Sequence, residues 1–270
     1  MNSILTEIME KTSLHNKNNI TRTKAYLNFY MKHPEIKWSF LASQVSRNAG
    51  WNMTDLVTNS YEPLFSKKVA ALLFLTYERA NWFIFQDAYP QLLLYEYSKQ
   101  YDKPLFNLLR HLNISVFMEN EWFTFWAQQN GHRLITAQII NEQNVIQKPI
   151  VDKPFFKQNV FHRFPYLFQE ILHLNSVLFP TLSGHLYGLF IKKFTDVSSR
   201  ITIGKQLASI LFHPNLHPKL LTFAKEITPT GMREEYEQFL PKKMIRSNTL
   251  TSIYPTIHHK TGNGGDWFLE

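Results

Sequence analysis

The chain has 270 residues, of which 44% are hydrophobic and 15% aromatic, a composition that excludes disorder for most of its length and supports a sizeable core. It contains no cysteine, which excludes disulfides, thiolate metal sites and a cysteine nucleophile. The net charge of +8 permits an anionic partner such as nucleic acid, a membrane surface or a phosphorylated metabolite, but the basic residues are scattered, and a solvated basic surface is the simpler interpretation.

Apolar residues recur at helical spacing, and turn signals are too sparse for a sandwich or a barrel. A first helix follows Ser3, which we expect to be its N-cap. A second begins near Thr21 and ends at His33, because Pro34 disfavours helical geometry at the residue before it. A third ends near Gly50, since glycine tolerates the left-handed turn at a helix C-terminus.

A long helix is predicted from near Pro63 to about Gln86, and it is apolar around most of its circumference. We therefore expect it to be the buried centre of the fold. Pro90 is expected to restart the chain in a new helix. Further helices are predicted at residues 91–100, 104–112, 115–129, 133–146, 166–174, 182–194, 201–211, 217–226 and 229–239.

These elements predict an all-α protein, with a single multi-helix domain over residues 1–241 and an irregular tail over residues 242–270, where no helical period is found. Glu7 and Glu10 interrupt the apolar stretch that a secretory signal requires, so we expect no export. The longest uncharged run, residues 171–191, contains Pro180 and several polar residues, which favours two helices of a soluble core over a transmembrane span.

Several kinds of catalytic motif find no support. His213 and His217 have the spacing of a helical zinc pair, but Pro214 and Pro218 break the helix that would align them, so we expect no metal site. No glycine-rich turn has the spacing of a phosphate loop, and no serine lies in a nucleophile elbow. Solvent-exposed positions are expected for the paired acidic residues and for the histidines of the tail, which are Glu119, Glu121, Glu234, Glu235, Glu237, His258 and His259.

Two segments, residues 46–56 and 78–92, place polar and charged residues inside what otherwise has the pattern of buried helix. Burying a polar group without a hydrogen bond costs roughly 2–7 kcal/mol, so such residues need a structural or functional reason. Capping by Asn48, Asn52 or Thr54 would account for part of the first segment, but it does not account for Arg47 or Trp51.

We expect Arg47 to form an ion pair with Glu78 in one polar pocket that has tryptophan walls. The candidate ligand-binding or partner-binding residues are Arg47, Asn48, Trp51, Asn52, Asp55, Glu78, Asn81, Trp82 and Asp87. The alternative is an internal polar network that fixes how two helices dock and that holds no ligand.

The same segments carry a resemblance to a known family. Residues 22–26, 33–35, 46–56 and 78–92, with weaker similarity at 141–143, 162–166 and 211–214, resemble the YppC-like bacterial proteins, a family with a domain of unknown function. The resemblance covers most of the chain and implies a bacterial, cytoplasmic protein. It implies no activity, cofactor or catalytic residue.

Two classes of function stay open. The first, which we prefer, is a non-catalytic binding or scaffold module that uses its basic surface or its aromatic-rich helices to hold a protein, a membrane or a nucleic acid. The second is an enzyme that acts on an anionic small molecule in a pocket formed by Arg47, Glu78 and Asp87. There the arginine would hold a phosphate or carboxylate, and Glu78 or Asp87 would act as acid or base. The residues identify no cofactor.

Overall fold

A computed structural model describes residues 2–58, 66–161, 176–191, 193–241, 248–259 and 266–268. Within them the chain is mostly helical with one small two-stranded sheet, which confirms the all-α class. The helices before the sheet are α1 (Asn2–His15), α2 (Asn19–Lys32), α3 (Lys37–Asp55), α4 (Lys67–Gln100), a 3₁₀ helix (Phe106–Leu112), α5 (Val116–Gln128), α6 (Gly131–Val145) and the short α7 (Pro154–Phe156) between π-helical turns at Gln147–Val151 and Lys157–Phe161. After α7 come β1 (Ser176–Pro180), β2 (Leu186–Phe190), α8 (Val197–Leu211), α9 (His217–Glu226), α10 (Glu234–Glu237) and α11 (Leu250–Ile253).

The central helix is α4, which packs against α1, α2, α3, α6 and the 3₁₀ helix. It is longer than expected, because Pro90 lies inside it instead of interrupting it. A proline in a helix interior costs about 3 kcal/mol, and here the burial of Leu92 and Leu94 in the core offsets that cost. The hydroxyl of Ser66 caps the start of α4, and the expected start at Pro63 lies outside the described residues.

Helix α3 continues past Gly50 to Asp55, so the expected helix end at Gly50 and the capping roles of Asn48, Asn52 and Thr54 were wrong. The glycine serves a different purpose. A Cβ atom at Gly50 would lie 3.3 Å from the Cα atom of Gly231, so the missing side chain lets a later segment approach the helix closely.

A β-hairpin replaces the helix that was expected over residues 182–194. β1 and β2 pair antiparallel, with Val177 opposite Leu189. A Cβ atom at Gly188 would lie 1.9 Å from the carbonyl oxygen of Val177, so this position requires glycine. An apolar run without a polar face does not distinguish a buried strand from a buried helix, which explains the wrong prediction. The part of the run before Ser176, and the helix expected at 166–174, lie outside the described residues.

Most other helices lie close to their predicted positions, notably α2, α5, α6, α8 and α9. Ser3 lies inside α1, so it is not the N-cap. The helix expected at residues 104–112 is the 3₁₀ helix Phe106–Leu112, and residues 229–239 contain only the single helical turn Glu234–Glu237. In the part of the chain that the structure describes, no helix has both the length and the apolar character to cross a membrane.

The main hydrophobic core joins α2, α3, α4, α5 and α6 around Trp38, Phe85 and Trp122. A separate small cluster contains Trp51, Phe223 and Tyr236. The side of α3 that faces this second cluster carries the first polar segment of the sequence.

Candidate functional site

The expected ion pair between Arg47 and Glu78 does not form. Glu78 instead accepts hydrogen bonds from Arg22 of α2, at 3.0 Å from Nη1 and 2.5 Å from Nη2, and both side chains are almost fully buried. Burial alone would raise the pKa of Glu78, but Arg22 and His259 together outweigh it and hold the pKa below its usual value. The sequence contains a signal for this partner, because Arg22 shares helical spacing with the buried Ala25, Tyr26 and Phe29.

The C-terminal tail adds a third group to this pair. The Nε2 atom of His259 lies 3.6 Å from Glu78 Oε1, and the His259 side chain is only 1% exposed. Its ring packs against Trp82 with the centroids 5.3 Å apart. The expectation of an exposed histidine was therefore wrong for His259, although His258 is exposed.

Arg47 pairs with Glu235, which was expected on a solvated face and is buried. The Nε atom of Arg47 donates to Glu235 Oε2 at 2.5 Å, and Nη2 donates to the carbonyl oxygen of Ile227 at 2.7 Å. The second carboxylate oxygen of Glu235 accepts the backbone N–H groups of Thr230 and Gly231 at 2.6 and 2.7 Å. This network fixes residues 227–235 against α3.

A second ion pair lies about two helical turns further along α3. The Nε atom of Arg233 donates to Asp55 Oδ2 at 2.5 Å, Nη2 donates to Asn52 Oδ1 at 3.2 Å, and Nη1 donates to the hydroxyl of Tyr236. Burial raises the pKa of Asp55 even beside this guanidinium. Asp55 and Asn52 therefore dock the segment that contains α10.

Trp51 belongs to the same contact. It is 1% exposed, its ring lies 4.8 Å from that of Tyr236, and its Nε1 atom has no hydrogen-bond partner among the described residues. The guanidinium of Arg47 lies 5.8 Å from the Trp51 ring and 4.8 Å from that of Phe223, within the range of cation–π attraction. Trp51 thus packs a helix contact and does not form a pocket wall with Trp82.

Asp87 occupies a third, separate network between α4 and α6. Its Oδ2 atom accepts from Gln91 Nε2 and from Asn141 Nδ2, each at 2.6 Å. Burial raises the pKa of Asp87 to about 7, against these two hydrogen bonds. The chain of amides continues, because Trp122 Nε1 donates to Gln91 Oε1 at 2.9 Å.

Asn48 joins α3 to the hairpin. Its Nδ2 atom donates to the carbonyl oxygen of Leu178 at 2.8 Å, and its Oδ1 atom accepts the Leu178 N–H at 2.7 Å. The side-chain amide therefore pairs with the free edge of β1 as a neighbouring strand would. Asn52 adds a weaker bond from Nδ2 to the carbonyl oxygen of Ser176 at 3.3 Å.

These contacts divide the candidate residues among separate networks. The single pocket of Arg47, Glu78 and Asp87 was a wrong prediction, because each of the three side chains bonds to different partners. The alternative interpretation, one polar network that docks two helices, does not describe them either, because Arg47, Glu78 and Asp87 each dock a different element. The pairing of Arg47 with Glu78 was predicted wrongly because the actual partners, Glu235 and Arg22, are far away in the sequence. Only the docking of helices brings these side chains together.

The expected solvated faces of the other glutamates were also wrong in part. Glu119 and Glu237 are buried, and Glu119 accepts from Arg110 at 2.5 and 2.9 Å. Glu234 is exposed, and Glu121 forms a two-point contact with the half-exposed Arg133.

A cavity of about 140 Å³ lies between α3, α4, α6, α8 and the hairpin. Three of the candidate residues, Asn48, Asn52 and Asn81, lie in its wall, whereas Arg47, Glu78 and Asp87 do not. The other polar wall residues are Glu142, Gln143 and Arg200. The rest of the wall is apolar or aromatic: Leu41, Val45, Ala49, Tyr77, Ala80, Ile84, Ile146, Val177, Ile191, Phe194, Ile203, Gly204 and Leu207.

Glu142 is the wall residue that the sequence analysis missed. Its Oε2 atom accepts from Trp38 Nε1 at 3.0 Å and its Oε1 atom accepts from Gln143 Nε2 at 2.9 Å. Burial raises the pKa of Glu142 to about 7, and part of the side chain stays accessible, as its place in the cavity wall requires. Its spacing from the buried Ile135 and Ile139 puts it on the inner face of α6, a signal that could have identified it.

Arg200 of α8 is turned towards α6 and the turn that follows it. Its Nε atom donates to Gln143 Oε1 at 2.8 Å, Nη1 to the carbonyl oxygen of Phe194 at 2.5 Å, and Nη2 to Gln143 O at 3.0 Å and Gln147 Oε1 at 2.7 Å. These bonds fix one side of the cavity and use most of the N–H groups of the guanidinium.

The two histidines with zinc-like spacing take no part in a common site. The His217 ring lies 3.1 Å from the hydroxyl of Tyr30 and 3.1 Å from the carbonyl oxygen of Leu211. His213 Nδ1 accepts the backbone N–H of Asn215. The described residues contain no cluster of three or more His, Asp or Glu side chains placed to hold a metal ion.

Comparison with known proteins places the chain in a family. The family "Protein of unknown function (DUF2515)" matches residues 14–270. The chain is 46% identical over 266 residues to the "Uncharacterized protein YppC" of Bacillus subtilis (strain 168), and the similarity covers 98% of this chain and 83% of that protein. No solved structure matches. The chain therefore belongs to the DUF2515 family, as the resemblance of its two polar segments indicated.

Proposed function

We propose that this protein is a non-catalytic binding module that holds a small, mainly apolar molecule in the cavity between α3, α4, α6 and α8. One observation supports the proposal above all. Glu142 is a carboxyl group in the wall of an apolar cavity, and among the described residues it forms no ion pair with Lys, Arg or His. A ligand that filled the cavity would meet this group.

The composition of the wall supports a ligand site. Small-molecule sites are mostly apolar and carry a few convergent polar groups, as this cavity does. An apolar cavity of roughly 150 Å³ is large enough to bind a benzene-sized molecule. At about 140 Å³, this cavity suits a body of that size.

The geometry favours binding over catalysis. The acid and base roles considered for Glu78 and Asp87 required an accessible pocket, and both side chains are engaged in networks away from the cavity. The cavity wall contains Glu142 and Tyr77 as titratable groups other than Arg200, and no nucleophile with an adjacent base accompanies them among its lining residues.

A basic surface that binds nucleic acid or membrane stays a prediction. Several arginines that could contact phosphates bond to protein groups instead, namely Arg22, Arg47, Arg110, Arg133, Arg200 and Arg233. Arginine is the side chain best suited to phosphate recognition, so this use of arginine lowers the case for such a surface. The cytoplasmic location also stays a prediction.

The proposal is tested by a substitution that fills the cavity. Ala80 lines it, so Ala80→Leu should leave stability nearly unchanged and abolish the thermal stabilisation that toluene produces in the wild type. Ala88 is buried on the same helix but does not line the cavity. Ala88→Leu should therefore cost about 1–3 kcal/mol through overpacking and keep the response to toluene.

Toluene titrations monitored by differential scanning calorimetry and by protein NMR measure both effects. The proposal fails if saturating toluene does not stabilise the wild type, or if Ala80→Leu responds as strongly as the wild type does.

A further inference from the structure

We propose that the ligand of this cavity has an apolar body and a head group that donates hydrogen bonds, an alcohol or an amine. Glu142 and Asn81 accept these hydrogen bonds. This inference rests on the proposed function, because it concerns the same cavity. It names the chemical class of the ligand and excludes the anionic molecules that the net charge of the chain suggests.

Glu142 has acceptor capacity left after its contacts with the protein. Each carboxylate oxygen receives one hydrogen bond, from Trp38 or from Gln143. A carboxylate offers about four lone-pair sites, so about two stay available to a molecule in the cavity. The two protein bonds also fix the orientation of the group.

Asn81 supplies a second acceptor. Its Nδ2 atom donates to the carbonyl oxygen of Tyr77 at 2.9 Å, one turn back along α4. This bond leaves the carbonyl Oδ1 atom of the Asn81 side chain to accept from a ligand. Asn81 lies on α4 and Glu142 lies on α6, so the two acceptors approach the cavity from different helices.

Many of the donors of the wall already bond to protein oxygens. Asn48 Nδ2 donates to Gln44 O and Leu178 O, and Gln143 Nε2 donates to Glu142. The guanidinium of Arg200 donates to four protein oxygens. A carboxylate or phosphate placed against Glu142 and Asn81 would meet acceptor oxygens and lose hydration that they cannot replace, which is costly in an apolar site.

The charged and titratable groups around Glu142 come from three helices. Arg200 on α8 lowers the pKa of the carboxyl group, Tyr26 on α2 interacts with it, and Tyr77 on α4 lines the same cavity. Because the pKa of Glu142 is about 7, the group is mainly ionised at pH 8.5 and mainly protonated at pH 5.5. Donor head groups should therefore bind more tightly at pH 8.5, where both oxygens only accept.

The experiment uses benzene-sized molecules that differ in the head group. Isothermal titration calorimetry of the full-length wild type at pH 8.5 and pH 5.5 compares toluene, benzyl alcohol, benzylamine, benzaldehyde and benzoate. We expect benzyl alcohol or benzylamine to bind about tenfold or more tightly than toluene at pH 8.5, because one charge-assisted hydrogen bond contributes about that much. The preference should shrink at pH 5.5.

The pattern of affinities identifies the head group. Tighter binding of benzylamine alone indicates a cationic amine, and tighter binding of benzyl alcohol alone indicates a neutral donor. If toluene binds at least as well as both, or if benzoate or benzaldehyde binds best at pH 8.5, the donor inference is wrong and the apolar binding module stands. If none of the five binds, both proposals are wrong.

Substitutions of the two acceptors test which side chain produces the preference for donor head groups. Glu142→Gln should remove most of the preference for donors and its pH dependence, and Asn81→Leu should reduce the preference. Asp87→Asn is the matched control, because Asp87 has a similarly raised pKa and does not line the cavity. An Asp87→Asn variant that loses the preference as strongly as Glu142→Gln would overturn the assignment, and the wild-type series decides the matter even if Glu142→Gln does not fold.

Discussion

Two helix contacts of this protein bury carboxyl groups in opposite ways. Where α3 meets residues 227–240, Asp55 and Glu235 each bond to an arginine. On α6 and the face of α4 that it covers, Glu142 and Asp87 bond to amides and an indole, and the described residues form no ion pair with either. Both of these carboxyl groups have a pKa of about 7.

The two arrangements suit the carboxyl groups to different roles. A buried carboxylate with a bound guanidinium holds two segments in one arrangement, and its charge already has a partner within the protein. A buried carboxyl group that is bonded only to neutral donors changes protonation near neutral pH and can accept a new partner. Of the two such groups, Glu142 faces a cavity and Asp87 does not.

The largest effect should come from breaking an ion pair. Arg47→Met leaves Glu235 buried and uncompensated, so we expect the free energy of unfolding to fall by about 3–5 kcal/mol, measured by urea denaturation. Arg133→Met, in which the lost pair with Glu121 is half exposed, should leave the unfolding midpoint almost unchanged. If both variants lost the same free energy of unfolding, the buried ion pair of Arg47 would contribute no more to stability than the half-exposed pair of Arg133.

A smaller loss is expected at the edge of the hairpin. Asn48→Ala leaves the N–H and the carbonyl oxygen of Leu178 without their partner, which should cost about 2–3 kcal/mol. Asn144→Ala is the control, because Asn144 donates to the carbonyl oxygen of Ile140 within its own helix. Hydrogen exchange should show faster exchange at Leu178 in the first variant, and unchanged exchange there would contradict the bridging role of Asn48.

Asp87 and Glu142, which form no ion pair among the described residues, give the stability of the protein a pH dependence of known sign. Their folded-state pKa of about 7 lies above the ordinary values of 3.8 and 4.5, so the folded state binds more protons between about pH 4 and 7, and stability falls as the pH rises through this range. Asp87→Asn should reduce this fall by about 2–3 kcal/mol, measured by urea denaturation at pH 5 and pH 8. A variant with the same slope as the wild type would contradict the raised pKa of Asp87.

The smallest effect is expected in the binding of anionic polymers to the basic surface. Since ion pairs with the protein's own carboxylates use many of the arginines, retention on heparin should be weak and should disappear near 0.15 M salt, where the Debye length is about 8 Å. Retention far above that salt concentration would instead support an anionic macromolecule as the partner.

Local sequence determined much of the helical structure. Helix α9 spans His217–Glu226, as its spacing predicts, and α5 spans Val116–Gln128, close to the predicted residues 115–129. The two polar segments were correctly identified as residues that need partners, because burial of a polar group is costly wherever it occurs. These are properties of a few neighbouring residues, and a short stretch of sequence is enough to establish them.

Tertiary structure alone decided the rest. Arg22 and Glu78 are 56 positions apart and Arg47 and Glu235 are 188 apart, so their pairing depends on how helices dock and not on local spacing. Packing likewise kept α4 helical through Pro90 and selected a hairpin for an apolar run that either structure could bury. The cavity exists only where four helices and the hairpin meet, because its wall is built from side chains that are distant in the sequence.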